Sequence, residues 1–376
     1  MGRFVRSIVR VGAALVVLLL ASSPVFVDET VSAGQPGPEI LVYSNNIENL
    51  LTMGEDCQGD WDELVHYIAD GDAPDLVLLQ QVAGQSQVDR FVEELERFGS
   101  GRYRGVTADT EPDGGGRCGA EKGKQLNAIV WNTATLSLEK GSAREWQSLR
   151  ANPKSGGEQC VANDQSRTVN VKAGFTHRSG QRVAAASIHW PTHESGNALC
   201  ADDNARLLDA ELREKSYRDS ALQVVGGDMN YGDINRKLKW CKWYRQMRSG
   251  NGFADPLRSG CGKDADCIEK LWTHIRYFGQ DGKKRRIDYL FARRGTSATA
   301  QYRDQRIVGF GAADAAERRH HREDESDCQT YLDRPGCHYS EHRAVSARVW
   351  LPSAGFAWGR VGVWWSAAAT RSASAA

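Results

Sequence analysis

Val224-Val-Gly-Gly-Asp-Met-Asn230 is an apolar run that stops at two glycines and delivers Asp228 and Asn230 two positions apart. In an extended chain, residues two apart project from the same face. A carboxylate and a carboxamide therefore reach one small volume at a strand end, a pairing that suits phosphate chemistry. Gly, Asp and Asn are also ordinary turn formers, so the stretch takes its meaning from what else falls at strand ends.

Working outward, Arg182 to Ile188 reads as a strand that runs into His189, and Asn204 to Lys215 as the helix leading to a strand at Leu222. Downstream, Arg286-Ile-Asp-Tyr-Leu-Phe291 and Ala344 to Trp350 read as later strands. Towards the start, Pro38 to Ile47 is a mostly apolar strand that runs into Asn45, Asn46 and Glu48. Trp61 to Ala69 has apolar residues at helical spacing, and Val88 to Phe98 reads as an amphipathic helix. Between them, Asp75-Leu-Val-Leu-Leu79 is continuously apolar, the mark of a strand buried on both faces, and it ends in Gln80 and Gln81. Leu126 to Trp131 and Thr168 to Phe175 are further strands, residues 105–124 a Gly- and charge-rich loop, and residues 141–166 polar and irregular. Buried-type strands alternating with helices predict an α/β layered domain. Asn46, Gln81, His189, Asp228 with Asn230, and Asp288 all fall at or near strand ends, where such folds build their sites.

The first 33 of the 376 residues read as a secretory signal peptide: Arg3, Arg6 and Arg10, an apolar run from Val11 to Ala21, then small residues at Val31-Ser-Ala33. The run is short for a membrane span, which needs about 20 apolar residues, and no later stretch is long enough to cross. Lys plus Arg balance Asp plus Glu at 48 each, so overall charge predicts no polyanion partner and any basic surface must be local. Nine cysteines in an exported chain read as disulfides. Cys261/Cys267 and Cys328/Cys337 are the expected local pairs, and the odd count leaves one thiol over. No Cys-x-x-Cys or Cys/His cluster has zinc-ligand spacing. The tail from Ser353 to Ala376 is rich in small residues and is expected outside the core.

The order of motifs resembles the endonuclease/exonuclease/phosphatase superfamily, with its DNase I-like fold. The matching pieces are Asn46-Ile47, Leu79-Gln-Gln-Val82, Asn127-Ala-Ile129, Ser187-Ile-His189, Gly227-Asp-Met-Asn230, Arg286-Ile-Asp-Tyr289 and Ser340-Glu-His342. The resemblance implies a four-layer α/β/β/α sandwich of two mixed sheets over residues 38–352. It also implies one Mg²⁺-dependent (or Mn²⁺-dependent) phosphoesterase site at an edge of the sheets, in a monomer. Asp228 would orient or deprotonate the attacking water, and Asn230 would hold that water or a phosphate oxygen. His342, oriented by Asp288, would face the phosphate, His189 would donate to another of its oxygens, and Asn127 and Arg167 would be further phosphate contacts. Asn46, Gln81 and Glu341 make up the metal side, and Thr273 is a further candidate phosphate contact.

Two positions depart from the family pattern. Gln81 stands where the family has a metal-binding Glu, replacing an anionic oxygen by a neutral amide oxygen, although hard Mg²⁺ normally takes one or two carboxylates. Glu341 replaces Asp, and Glu48 is a candidate substitute ligand. A weakened or purely binding member is therefore an alternative to an enzyme.

For the substrate, the run Asn235 to Arg248 interleaves basic residues with Trp240, Trp243 and Tyr244, and Lys283-Lys-Arg-Arg286 follows. Such a run suits nucleic acid, through phosphate contacts and stacking, or a lipid surface, through interfacial aromatics. It equally suits a solvated helix whose aromatics are core. The expected activity is a secreted nuclease, with a sphingomyelinase-type phospholipase C as the alternative.

Overall fold

The computed structural model describes residues 37–47, 64, 65, 68, 71, 73–108, 125–192, 197–234, 239–275, 284–295, 298–308 and 342–352. The expected leader and tail, Glu48, Glu341, the Cys328/Cys337 pair and residues 235–238 lie outside them.

In chain order the strands are β1 (Glu39–Asn46), β2 (Leu76–Val82), β3 (Tyr103–Thr107), β4 (Leu126–Asn132), β5 (Leu136–Leu138), β6 (Arg144–Gln147), β7 (Leu149–Ala151), β8 (Cys160–Ala162), β9 (Val169–His177) and β10 (Arg182–His189). They continue with β11 (Leu222–Asp228), β12 (His274–Ile275), β13 (Lys284–Arg285), β14 (Asp288–Arg294), β15 (Ala298–Thr299), β16 (Tyr302–Ile307) and β17 (Val345–Trp350). One sheet runs β16-β17-β1-β2-β4-β3, and the other runs β15-β14-β11-β10-β9-β5, with β6 also on β9. Both are mixed, because β1 pairs β2 and β10 pairs β11 in parallel while their outer neighbours run antiparallel.

The two-residue period of the strands sorts their side chains into three cores. Ile40, Val42, Leu76 and Leu78 of the first sheet meet Val171, Phe175, Val183, Val224 and Leu290 of the second in a middle layer. The alternate residues Leu41, Tyr43, Val77 and Leu79 turn outward onto Val88, Phe91 and Leu95 of helix α1 (Gln85–Phe98), beside helical Leu64, Val65 and Ile68. On the other side, Ala184, Ala186 and Val225 face Ala205, Leu208 and Leu212 of helix α2 (Ala201–Leu212). Helix, sheet, sheet, helix is the layering expected from the sequence. Among the described residues no helix is long and apolar enough to cross a membrane.

The two glycines of the opening stretch mark close approaches. A Cβ on Gly226 would lie 2.6 Å from Cβ of Ser44 and 2.8 Å from Leu78 in the facing sheet, and one on Gly227 would lie 1.9 Å from the Ile188 carbonyl oxygen. Gly226→Ala is therefore expected to destabilise the fold by about 1–3 kcal/mol, the usual cost of overpacking a core, read as a lower urea midpoint. An unchanged midpoint would mean that the sheets separate freely at this point.

Three expectations need correction. Of the stretch expected as a loop at 105–124, Gly105 to Thr107 belong to β3 and residues 109–124 lie outside the described residues; a Cβ on Gly105 would sit 2.2 Å from Val88, so the glycine lets α1 press onto the strand. The polar stretch 141–166 contains the short strands β6, β7 and β8. The strand read from Arg286 starts at Asp288, because Arg286 is drawn into a buried ionic cluster described below. Cys261–Cys267 is bridged as expected, and Cys160–Cys200, not deducible from spacing, forms a second bridge. Cys241 is a free thiol.

Candidate active site

Parallel strands end on one edge of a sheet, and antiparallel partners begin there. Asn46 closes β1, Gln80 and Gln81 lie at the end of β2, His189 closes β10 and Asp228 closes β11. The register sets Asp228 opposite both His189 and Asp288, the first residue of β14. His342 precedes β17 and bridges His274. Residues scattered over some 300 positions of sequence thus share one edge for purely topological reasons.

Asp228 is the hub. Its Oδ2 accepts from Asn46 Nδ2 at 3.0 Å and lies 3.5 Å from His189 Nε2 and 3.9 Å from His342 Nε2. Its Oδ1 accepts from the Asn230 main-chain N–H at 2.8 Å. Asp288 holds His342 Nδ1 at 2.9 Å, which directs Nε2 towards Asp228. Burial pushes the Asp228 carboxyl up to about 7, and the negative charge of Asp288 adds to this, while His342 and the two hydrogen bonds oppose it. A carboxylate, a second carboxylate and an imidazole with ligand atoms all within 4.8 Å of one another form a donor set able to hold a cation.

The remaining expected residues sort differently. Asn230, in a left-handed conformation at φ 57°, spends its side-chain amide on the Trp190 carbonyl at 2.7 Å. Asn46, expected on the metal side, donates to Asp228. Asn127 donates to the main-chain carbonyls of Arg167 and Val169, at 3.1 and 2.8 Å, so both its N–H groups are used within the protein. Half-buried Arg167 donates from Nε to Gln165. Gln81 is buried at 2 % exposure and also left-handed, at φ 61°, where the β2–β4 register breaks in a bulge. Glu341 lies outside the described residues.

Two supporting features escaped the sequence, and Thr273, expected as a phosphate contact, has a different role. Thr273 Oγ1 accepts the N–H groups of Ile287 and Asp288 at 3.1 and 3.0 Å, so it fixes the start of β14 rather than presenting its hydroxyl at a surface. The His274 ring packs against that of His342, with centroids 4.5 Å apart. Asn170 Oδ1 accepts the His189 N–H at 2.8 Å, and Ser148 donates to the His189 carbonyl. Asn170 had a signal, being a polar residue amid strand β9; Thr273 had only its place in Trp272-Thr-His274.

Side-chain amides also cross between the sheets beside this centre. Asn46 of β1 reaches Asp228 of β11, Gln80 of β2 reaches Ser187 of β10 at 2.8 Å, and Asn127 of β4 reaches β9. Ser187 returns a bond to the Leu79 carbonyl at 2.7 Å.

The basic and aromatic run divides. Trp243 and Tyr244 are core residues behind β11 and β14, which is the solvated-helix reading of that segment. Arg286 is buried, donating to Asp233 at 3.0 Å and to Asp255 at 2.6 and 2.8 Å, with Tyr244 also on Asp255. Lys242, Arg245, Lys284 and Arg285 remain exposed.

Two mixed sheets between helices, with polar residues gathered at one edge, define the DNase I-like architecture of endonuclease/exonuclease/phosphatase proteins. Among solved structures the chain is similar to the human Nocturnin catalytic domain with bound sulfate, at TM-score 0.53 and 16% identity over 83% of this chain and 94% of that one. It is also similar to an endonuclease/exonuclease/phosphatase from Beutenbergia cavernae, at TM-score 0.52 and 17% identity over 83% and 72%. At this identity the likeness shows the fold. No protein-family model matches the sequence, and no curated protein matches it.

Proposed function

We propose that the chain is a secreted, divalent-metal-dependent phosphodiesterase of the endonuclease/exonuclease/phosphatase superfamily that hydrolyses nucleic acid. The observation that carries this reading is the surround of Asp228 Oδ2, with an amide donor and two imidazoles within 4 Å and a second carboxylate aligning one of them. A base working at neutral pH needs a pKa near 7, and burial beside Asp288 provides it for Asp228. Asp228 takes the proton of the attacking water, and Asn46 and the Asn230 N–H keep the carboxylate in place. His342, with Nδ1 held by Asp288, and His189 present Nε2 to the phosphoryl oxygens as charge builds on them.

The residues fit a hard divalent cation. Asp228, Asp288 and His342 bring two carboxylates and an imidazole within 4.8 Å of one another, a set rich in the oxygen donors such a cation prefers, and Gln81 lies at the end of β2 on the same edge. When bound, such a cation neutralises phosphoryl charge and polarises water. Export agrees with the leader-like start and with the two disulfides among the described residues. The lipid alternative loses much of its support, because two of the three aromatics that would have met a membrane, Trp243 and Tyr244, are buried and the third, Trp240, is partly buried.

The test is plasmid nicking and bis(4-nitrophenyl) phosphate hydrolysis with Mg²⁺ or Mn²⁺. EDTA should stop both, and His342→Ala should lower the rate by about 10²–10³-fold, the range for one lost donor to a developing oxyanion. Folded protein that turns over neither DNA, RNA nor the simple diester would defeat the reading.

A further inference from the structure

Beside the centre lies a cleft of about 1100 Å³ that Asn230 also lines, walled by the chain after β11, by helix α3 (Lys242–Arg245) and by β13. Its walls carry Lys242, Arg245, Lys284 and Arg285, all exposed, over a floor that includes the buried Arg286. Its two carboxylates are already answered. Asp202 is paired with Lys242 at 2.6 Å and Arg206 at 2.8 Å, and Asp233 with Arg286 at 3.0 Å. Arg245 and Arg285 make no ion pair with a described residue.

We propose that this cleft is a subsite for a second phosphate of a nucleic-acid strand, next to the phosphate that is cleaved; the proposal rests on the phosphodiesterase reading above. Surplus positive charge in a concave, partly dry wall focuses field and draws anions, and guanidinium forks match phosphate oxygens. At about 1100 Å³ the volume far exceeds one phosphate and slightly exceeds the roughly 300–1,000 Å³ of ordinary small-molecule pockets, room for a stretch of strand. A membrane is a poorer occupant, since among the described residues Leu199 is the one exposed large apolar side chain on the cleft. Hydrolysis needs only the centre at Asp228; Arg245 and Arg285 hold the strand and set which phosphodiesters are good substrates.

The experiment uses the full chain and the double variant Arg245→Ala/Arg285→Ala. Binding of a fluorescein-labelled ten-nucleotide thymidine strand is followed by polarisation in EDTA at several salt concentrations, and turnover of bis(4-nitrophenyl) phosphate, which has no second phosphate, is measured with metal. The variant should bind the strand about 10-fold or more weakly, with a log–log salt slope reduced by about 1.4 for two lost contacts to a single strand, while small-diester turnover stays within about 2-fold. Unchanged strand binding overturns the subsite, as does an equal fall in small-diester turnover, or binding by the parent to anionic phospholipid vesicles but not to the strand. Absence of turnover in the parent would instead strike the phosphodiesterase reading, and binding in EDTA would still judge the cleft.

Discussion

Asp228→Asn should yield a protein that is about 10²–10⁴-fold less active yet more stable than its parent at pH 8. Asn preserves the shape of a side chain that is 2 % exposed and removes its charge. The carboxyl is raised from 3.8 to about 7 in the folded state, through burial and the neighbouring Asp288. Below pH 3.8 it is protonated in both folded and unfolded chains, and its contribution to stability is fully present. Between about 4 and 7 the folded state binds the extra proton, so stability falls as pH rises and the loss is complete above 7. That loss is on the order of a few kcal/mol. The Asn variant avoids it at the cost of one mismatched hydrogen bond, since Asn46 and the Asn230 N–H both donate to this group, about 1 kcal/mol. Urea unfolding in EDTA from pH 4 to 8 should show the variant's advantage growing with pH. A pH-independent difference would mean that Asp228 is not the strained charge described here.

Gln81→Glu should act in the opposite sense, strengthening the proposed cation site. The side chain is buried in a left-handed conformation that Glu adopts as readily as Gln, so backbone strain is unchanged. An anionic oxygen replaces a neutral one where a hard cation would bind, and the half-saturating Mg²⁺ concentration should fall by about 10-fold or more, at least about 1.4 kcal/mol. Without metal, the added charge should destabilise the fold, because an unpaired buried carboxylate is costly. The metal titration of activity and the unfolding midpoint in EDTA measure the two effects separately. An unchanged metal dependence would place the cation away from β2.

Much of this centre was legible because its residues fall at strand ends, and strand ends announce themselves as a change from apolar to polar. The runs ending at Asn46, Gln81, His189 and Asp228 all close strands that share one edge. What stayed hidden depends on contacts across long stretches of chain. The roles of Thr273 beneath Asp288 and of Asn170 beneath His189 follow from register and packing, which no local pattern carries. The 240–248 run shows the same limit from another side. Its spacing marked an amphipathic segment, but only the packing shows that Trp243 and Tyr244 are its buried face and that Arg286 belongs to an internal cluster with Asp233 and Asp255. Asn127 kept its position but changed its partners, from substrate to main-chain carbonyls.

The hydrogen bonds by which side-chain amides cross from β1, β2 and β4 to the facing sheet give the proposed site an unusual sensitivity. Asn46 arrives from one sheet and Asp228, His189 and Asp288 from the other, so the centre is assembled only while the two sheets keep their spacing. A relative slip of one ångström would break all three crossings at once and leave every strand ladder intact. Activity is therefore a ruler for the gap between the sheets: on heating, it should fade while the spectroscopic signature of the strands is still whole.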